Sequence, residues 1–154
     1  MNQESGRSMI EMLGVLAIMG VITVGAIGMI SSAMRTQKLT TVNDQVVQMV
    51  TMVRNLHAEY DDFSNMDGEK IFGAIGMSKQ NPYGGTYELA VDSANPRQFV
   101  VTIAGLGGSE CEALLTKAWT DSIDYQLSNG KQGGASGNCS GVNGTNFVRI
   151  IYGE

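Results

Sequence analysis

Between Glu11 and Arg35 the chain carries no charged side chain for twenty-three residues. Inside that stretch, residues 13–30 read LGVLAIMGVITVGAIGMI, and Thr23 is their only polar side chain. As a helix, rising about 1.5 Å per residue, the stretch covers about 35 Å. A hydrocarbon layer is about 30 Å thick. The rest of a 154-residue chain is too small to wrap such a segment on all sides. The segment therefore belongs in a membrane or among the helices of other subunits. It is longer than a secretory signal core of about 7–15 residues, and only Glu4 and Arg7 carry charge before Glu11, where a signal peptide has a clearly positive start. We expect it to be retained, with Ser31-Ser32-Ala33 as the small-residue site at which cleavage would otherwise occur.

Glu11 stands at the mouth of this segment. An ionised carboxylate deep in lipid costs about 2–3 kcal/mol or more. Two readings follow: an interfacial Glu reaching the headgroups, or a carboxylate that waits for a cation from another subunit.

Gly6-Arg7-Ser8-Met9-Ile10-Glu11-Met12, followed by the unbroken apolar helix, resembles the start of a type IV pilin precursor. The resemblance implies a short leader, residues 1–6, cut after Gly6 by a prepilin peptidase. It implies N-methylation of the new terminus at Arg7 and an assembly role for Glu11, the fifth residue of the mature chain. Arg7 and Met9 differ from the family's usual first and third mature residues, whereas Ser8 conforms. In the family's fibres the terminal amine of one subunit lies near this Glu of a neighbour. Two charges buried in a helix bundle must be paired to be tolerable. Here the amine of Arg7 would meet Glu11 of the next subunit and set the axial register. Gly14, Gly20, Gly25 and Gly28 let helices approach closely. The family commonly has Pro where Gly28 stands, which implies that residues 20–28 could unwind on assembly.

Beyond residue 30 the pattern becomes amphipathic. Leu39, Val42, Val46, Met49, Val53, Leu56 and Tyr60 recur at alternating spacings of three and four, with Val47 and Val50 widening the stripe. One helix is expected over residues 9–60, its second half packed on a sheet rather than in a coiled-coil dimer. Residues 61–69 are acidic, but counting back from Gly68 puts Phe63 at the first ligand position of a calcium loop, so a solvated loop is the better reading. A short helix is expected near residues 71–77. Asn81-Pro82-Tyr83-Gly84-Gly85 signals a turn. Strands follow at residues 87–91 and 98–104, paired as an antiparallel hairpin. Ser109-Glu110-Cys111-Glu112 fits a capping box, predicting a helix that begins there and runs through Trp119. A last strand is expected at residues 146–152.

Residues 130–144 hold six Gly and cannot form a core. Cys139 lies among them. A Cys111–Cys139 disulfide in an oxidising compartment would tie this segment down and contribute about 3–4 kcal/mol; a reactive thiol or two free Cys are the alternatives. His57 lies beside the helical stripe and reads as a boundary residue. The order of elements again looks like a pilin, most like the type IVb branch.

Charge narrows the function. Lys plus Arg is 10 and Asp plus Glu 15, a net −5 without a basic cluster, which argues against nucleic acid as a partner. One His and two Cys fall short of a zinc site without a carboxylate, so neither metal nor cofactor is expected, and no catalytic set is evident. The expected fold is α+β: a long N-terminal helix packed against an antiparallel sheet. Residues 1–6 form the leader, 7–34 the membrane or fibre-core helix and 35–154 the periplasmic head. The expected function is structural, a type IV pilus subunit held in the inner membrane as a single-pass precursor and extracellular after assembly. Its partners would be itself, the prepilin peptidase, the inner-membrane assembly machinery and a host or recipient cell surface. Adhesion, conjugation and motility all fit. The rivals are a type II secretion pseudopilin and an anchored periplasmic binding module that never polymerises. Arg35 and Lys38 follow the apolar stretch on the side where the orientation rule disfavours basic residues.

Overall fold

The computed structural model describes residues 3–127, 139 and 144–153. The chain divides into two compact units, one ending at Gln37 and the other beginning at Lys38. Helix α1 (Gln3–Leu56) belongs to both. It starts six residues earlier than the periodicity predicts and stops four residues sooner, at Leu56.

In the second unit α1 contributes Val42, Val46, Met49, Val50 and Val53, all buried. These residues lie on one side of a helix with 3.6 residues per turn. Val47 is half exposed, because it lies about 100° round the helix from Val46, away from the buried stripe. Leu56, the last residue of the helix, is exposed as well, and so is Tyr60, which lies beyond the helix end, where the turns no longer hold the helical phase.

Helix α2 (Gly68–Ile75) follows, and Asp67 caps it: its Oδ1 accepts from the N–H groups of Glu69 and Lys70. Gly76, with φ 69°, closes the helix in the left-handed conformation. Ile71 and Phe72 turn inward.

The sheet contains β1 (Tyr87–Val91), β2 (Gln98–Leu106), β3 (Asp124–Leu127) and β4 (Asn146–Gly153), in the order β1-β2-β4-β3, antiparallel throughout. Its buried face is set by register. Tyr87 pairs with Ile103 and Ile103 with Val148; Leu89 pairs with Val101 and Val101 with Ile150; Phe99 pairs with Tyr152. These rows meet the α1 stripe in one core. Tyr87 also donates from its hydroxyl to Gln45 Oε1 of α1 at 2.6 Å. Burial pushes the Tyr87 phenol well above its ordinary pKa, helped by neighbouring Tyr83.

β2 runs two residues past the alternation seen in the sequence. The register shifts between Ile103, opposite Val148, and Leu106, opposite Asn146. One extra residue is accommodated by a bulge at Ala104–Gly105, with Gly105 at φ 73°, so both Ile103 and Leu106 face the core.

Helix α3 (Gly108–Leu115) departs from the capping-box prediction. Its N-cap is Gly107, without a side-chain cap. Ser109 already lies within the helix, and its Oγ donates to Glu110 Oε2. The extended β2 delivers the chain directly into the helix, and the Cys111 N–H donates to Gly107 O at 3.0 Å. Trp119 lies beyond the helix end; its Nε1–H donates to Leu114 O, and its ring is buried. Strand β3, on the edge beside β4, has no clear signal in the sequence.

Candidate functional site

The feature most in need of a partner is the surface of α1 before residue 35. From Met9 to Met34 fifteen large apolar side chains are exposed, those up to Ile30 by between 51% and 77%. Burying each contributes about 1.5 kcal/mol or more, so covering the set is worth about 20 kcal/mol or more. A folded domain is stable by only about 5–15 kcal/mol. The surface cannot stay in water.

Two hydroxyl groups of this stretch, those of Thr23 and Ser31, are satisfied within it. Thr23 Oγ1 donates to Met19 O at 2.7 Å and Ser31 Oγ to Ile27 O at 3.1 Å, each four residues back along the helix. Together with unbroken helical backbone bonding, this is the condition that a hydrocarbon environment imposes. By length and composition the helix can cross a membrane. A Cβ added at Gly14, Gly20, Gly25 or Gly28 would meet nothing within 4 Å, so the packing of this chain alone does not require glycine there.

Glu11 lies exposed at the start of the apolar surface, on the helix. Gly6 and Arg7 lie within the backbone of α1; the side chain of Arg7 is outside the described residues, as are Met1 and Asn2 of the expected leader. Among the described residues no group of three or more His, Cys, Asp or Glu side chains gathers as a metal site would need. His57, read as a boundary residue beside the stripe, is half-buried, and its Nδ1 donates to Val53 O at 3.0 Å.

A second feature, the disulfide, lies in the head. Cys111 on α3 is joined to Cys139, twenty-eight residues on. Cys111 is fully buried and Cys139 packs against the core edge. Apart from Cys139 and Gly144, the Gly-rich segment at 130–144 lies outside the described residues.

Among known proteins the chain is similar to the toxin coregulated pilin of Vibrio cholerae serotype O1. The two are 26% identical over 129 residues, which covers 73% of this chain and 57% of the relative. The chain resembles the type IV pilins in both sequence and fold. No protein-family model matches it. The features seen in this pilin-like chain are a long apolar helix whose later turns pack on a four-stranded antiparallel sheet, and a disulfide after the central hairpin.

One structural residue escaped the sequence reading. Asn81 is 5% exposed, and its amide is fully used. Nδ2 donates to Ala104 O at 2.8 Å and Thr86 O at 3.3 Å, while Oδ1 accepts from the N–H groups of Tyr83 and Gly85, each at 3.0 Å. It locks the turn to the β2 bulge. The sequence marked Asn81 only as part of a turn; its contact twenty-three residues away has no local signal.

Proposed function

We propose that this chain is a structural subunit of a type IV pilus-like fibre. The observation that carries the reading is the exposed apolar surface of residues 9–34, entered by Glu11, on a chain that also carries a disulfide-bonded head. The likeness to a named pilin supports it. In this reading residues 1–6 are a leader, 7–34 the membrane and then fibre-core helix, and 35–154 the head.

The precursor waits in the inner membrane with its head in the periplasm. A prepilin peptidase cuts after Gly6. The backbone there lies in the first turns of α1, where local opening is inexpensive and glycine weakens the helix by about 1 kcal/mol relative to Ala. The freed amine of Arg7, methylated in the mature form, pairs with Glu11 of the neighbouring subunit. The inner-membrane machinery then draws subunits from lipid into a helix bundle, where the glycines at 14, 20, 25 and 28 allow close approach. The chain acts by assembly and not by turnover. The head faces outward, where it meets a host or recipient cell surface.

Shearing the cells and reading the N-terminus of this chain in the high-molecular-weight fraction tests the proposal. Arg7 as the first residue, with or without a methyl group, is the expected result. Met1 found only in the membrane fraction would overturn it and leave an anchored module that does not polymerise.

A further inference from the structure

Where α1 ends, Arg54, His57, Tyr60, Asp61, Asp62 and Arg97 line a half-open cleft of about 540 Å3 in the head. This volume lies within the range of about 300–1,000 Å3 that holds small ligands. The walls are braced from behind. The Phe63 N–H donates to Pro96 O at 2.8 Å, tying the loop after α1 to the β1–β2 turn. The Phe63 ring meets Phe99 edge-on at 4.9 Å, and Phe99 stacks on Tyr152 at 5.5 Å. The His57 ring lies 5.7 Å from that of Tyr60 and 5.5 Å from that of Phe63. Because Nδ1–H donates to Val53 O, Nε2 is the ring's acceptor in the neutral form.

The charges in the cleft are unequally committed. Arg54 pairs with Asp121 at 3.2 Å. Asp62 Oδ1 accepts from the Ser64 N–H at 3.0 Å. Arg97 is exposed and makes no ion pair within 4.0 Å among the described residues. Tyr60 exposes 61% of its surface. An apolar ligand would strip water from these ions and offer nothing in return. A peptide docked through its backbone or its apolar side chains needs a strand edge or an apolar groove, and this cleft is neither. A bare phosphate would face Asp61 and Asp62 as well as Arg97. A sugar ring presents a C–H face to an aromatic ring and hydroxyls to carboxylates and imidazole, and a sugar acid adds a planar carboxylate that matches a guanidinium fork.

We propose that this cleft binds an acidic saccharide of the uronic-acid kind. Tyr60 supports the ring, Arg97 takes the carboxylate, and Asp61 and His57 Nε2 take hydroxyls. The contacts are exposed, so affinity at a single site is low. If the chain forms a fibre, display in many copies raises the avidity.

The test uses the full chain in micelles of a sugar-free detergent at fixed pH. His57 is the only histidine, so its ring proton resonances report the cleft without ambiguity. A uronic-acid disaccharide is titrated to about 50 mM, well above the millimolar constants that a few exposed contacts support. A neutral hexose disaccharide of the same linkage is titrated in parallel. The expected result is a saturable shift with the acidic sugar and weaker binding of the neutral one. Tyr60→Ala weakens both by about fivefold. Arg97→Gln weakens only the acidic sugar, by about twofold to fivefold. Unchanged Trp119 fluorescence verifies that the variants are folded. No saturable shift, equal affinity for the two sugars, or an acidic preference that survives Arg97→Gln would each overturn the proposal. Binding is read on unassembled chains, so a negative result leaves the pilus reading as it stands.

Discussion

Replacing Asn81 by Asp changes one NH2 group into an oxygen and leaves the side chain's shape intact. The two acceptor bonds, from the Tyr83 and Gly85 N–H groups, survive and become charge-assisted. The two donor bonds do not. Ala104 O, 2.8 Å from Nδ2, loses this donor and faces a carboxylate oxygen instead. Thr86 O is less affected, since it also accepts from the Ala104 N–H at 2.9 Å. Each lost bond costs about 1 kcal/mol, and leaving a buried carbonyl unpaired adds about 1–3 kcal/mol. The net expectation is a loss of about 3 kcal/mol, or about 10 °C in Tm. The pH dependence follows from the same contacts. Burial and the facing carbonyl raise the folded-state pKa of the new carboxyl above its unfolded value of about 3.9. The variant is therefore weakest above the folded pKa, and the penalty shrinks as pH falls towards the unfolded value, where the neutral acid donates to Ala104 O. Trp119, the single tryptophan, is buried in the head and reports its unfolding in the detergent-solubilised full chain. Thermal melts at pH 7.5 and pH 4, each referred to the parent at the same pH, give the comparison. A loss below about 1 kcal/mol at pH 7.5, or a larger penalty at pH 4, would refute the reasoning.

Three further outcomes are expected in the head. Gly85→Ala places a Cβ 1.9 Å from Ala104 O and 2.7 Å from the Gly105 Cα, both backbone, and should cost about 3 kcal/mol or more in urea unfolding; a neutral result would mean that the turn and bulge move apart freely. Reducing the chain, or substituting Cys111→Ser with Cys139→Ser, should lower stability by about 3–4 kcal/mol for a separation of twenty-eight residues, seen as a lower urea midpoint. Burial holds the phenol of Tyr87 above its ordinary value and pushes that of Tyr152 up to about 12; because the neutral forms are the ones favoured in the fold, this stability is complete below pH 10 and drains away above it, so melts from pH 9 to pH 11.5 should show a falling Tm that Tyr87→Phe flattens.

Much of the fold was legible because it is written in short periods. The apolar run and the stripe from Val42 to Val53 follow helical spacing, and Tyr87-Leu89 and Phe99-Val101-Ile103 follow strand spacing. What was misread depended on contacts between distant segments. The bulge at Gly105 carries β2 on to Leu106, and that in turn moves the start of α3 ahead of Ser109. The acidic run at residues 61–69 reads as a solvated loop, yet within it the Asp67 carboxylate caps α2. β3 pairs with β4 through four residues, Asp124–Leu127, too few to show alternation. At the candidate site, the apolar surface was legible because twenty-three consecutive uncharged residues are anomalous, whereas the role of Glu11 at its edge is a proposal. The cleft at the end of α1 was not: Arg54 and Arg97 stand forty-three residues apart, and only the fold brings them to one place.

In the proposed assembly the energies divide in a way that explains why one carboxylate can matter on so apolar a surface. Leaving the stretch from Met9 to Met34 in water costs more than a head of this size can supply, so the helix is covered in every state that persists. Lipid tails and neighbouring helices are about equally apolar, however, so exchanging one for the other yields little hydrophobic gain. What remains to favour one arrangement of subunits is close packing at the glycines and the state of Glu11. A slip of one helical turn, about 5.4 Å, changes the apolar contacts little, since the surface is apolar along its whole length. It leaves Glu11 buried without its cation, at about 3–5 kcal/mol. The smaller term therefore sets the register, because the larger one hardly distinguishes registers. Glu11→Gln should then leave membrane insertion and the Trp119 fluorescence of the head unchanged while the yield of sheared fibre falls. If fibre yield and subunit spacing survive that substitution, apolar packing alone carries the register.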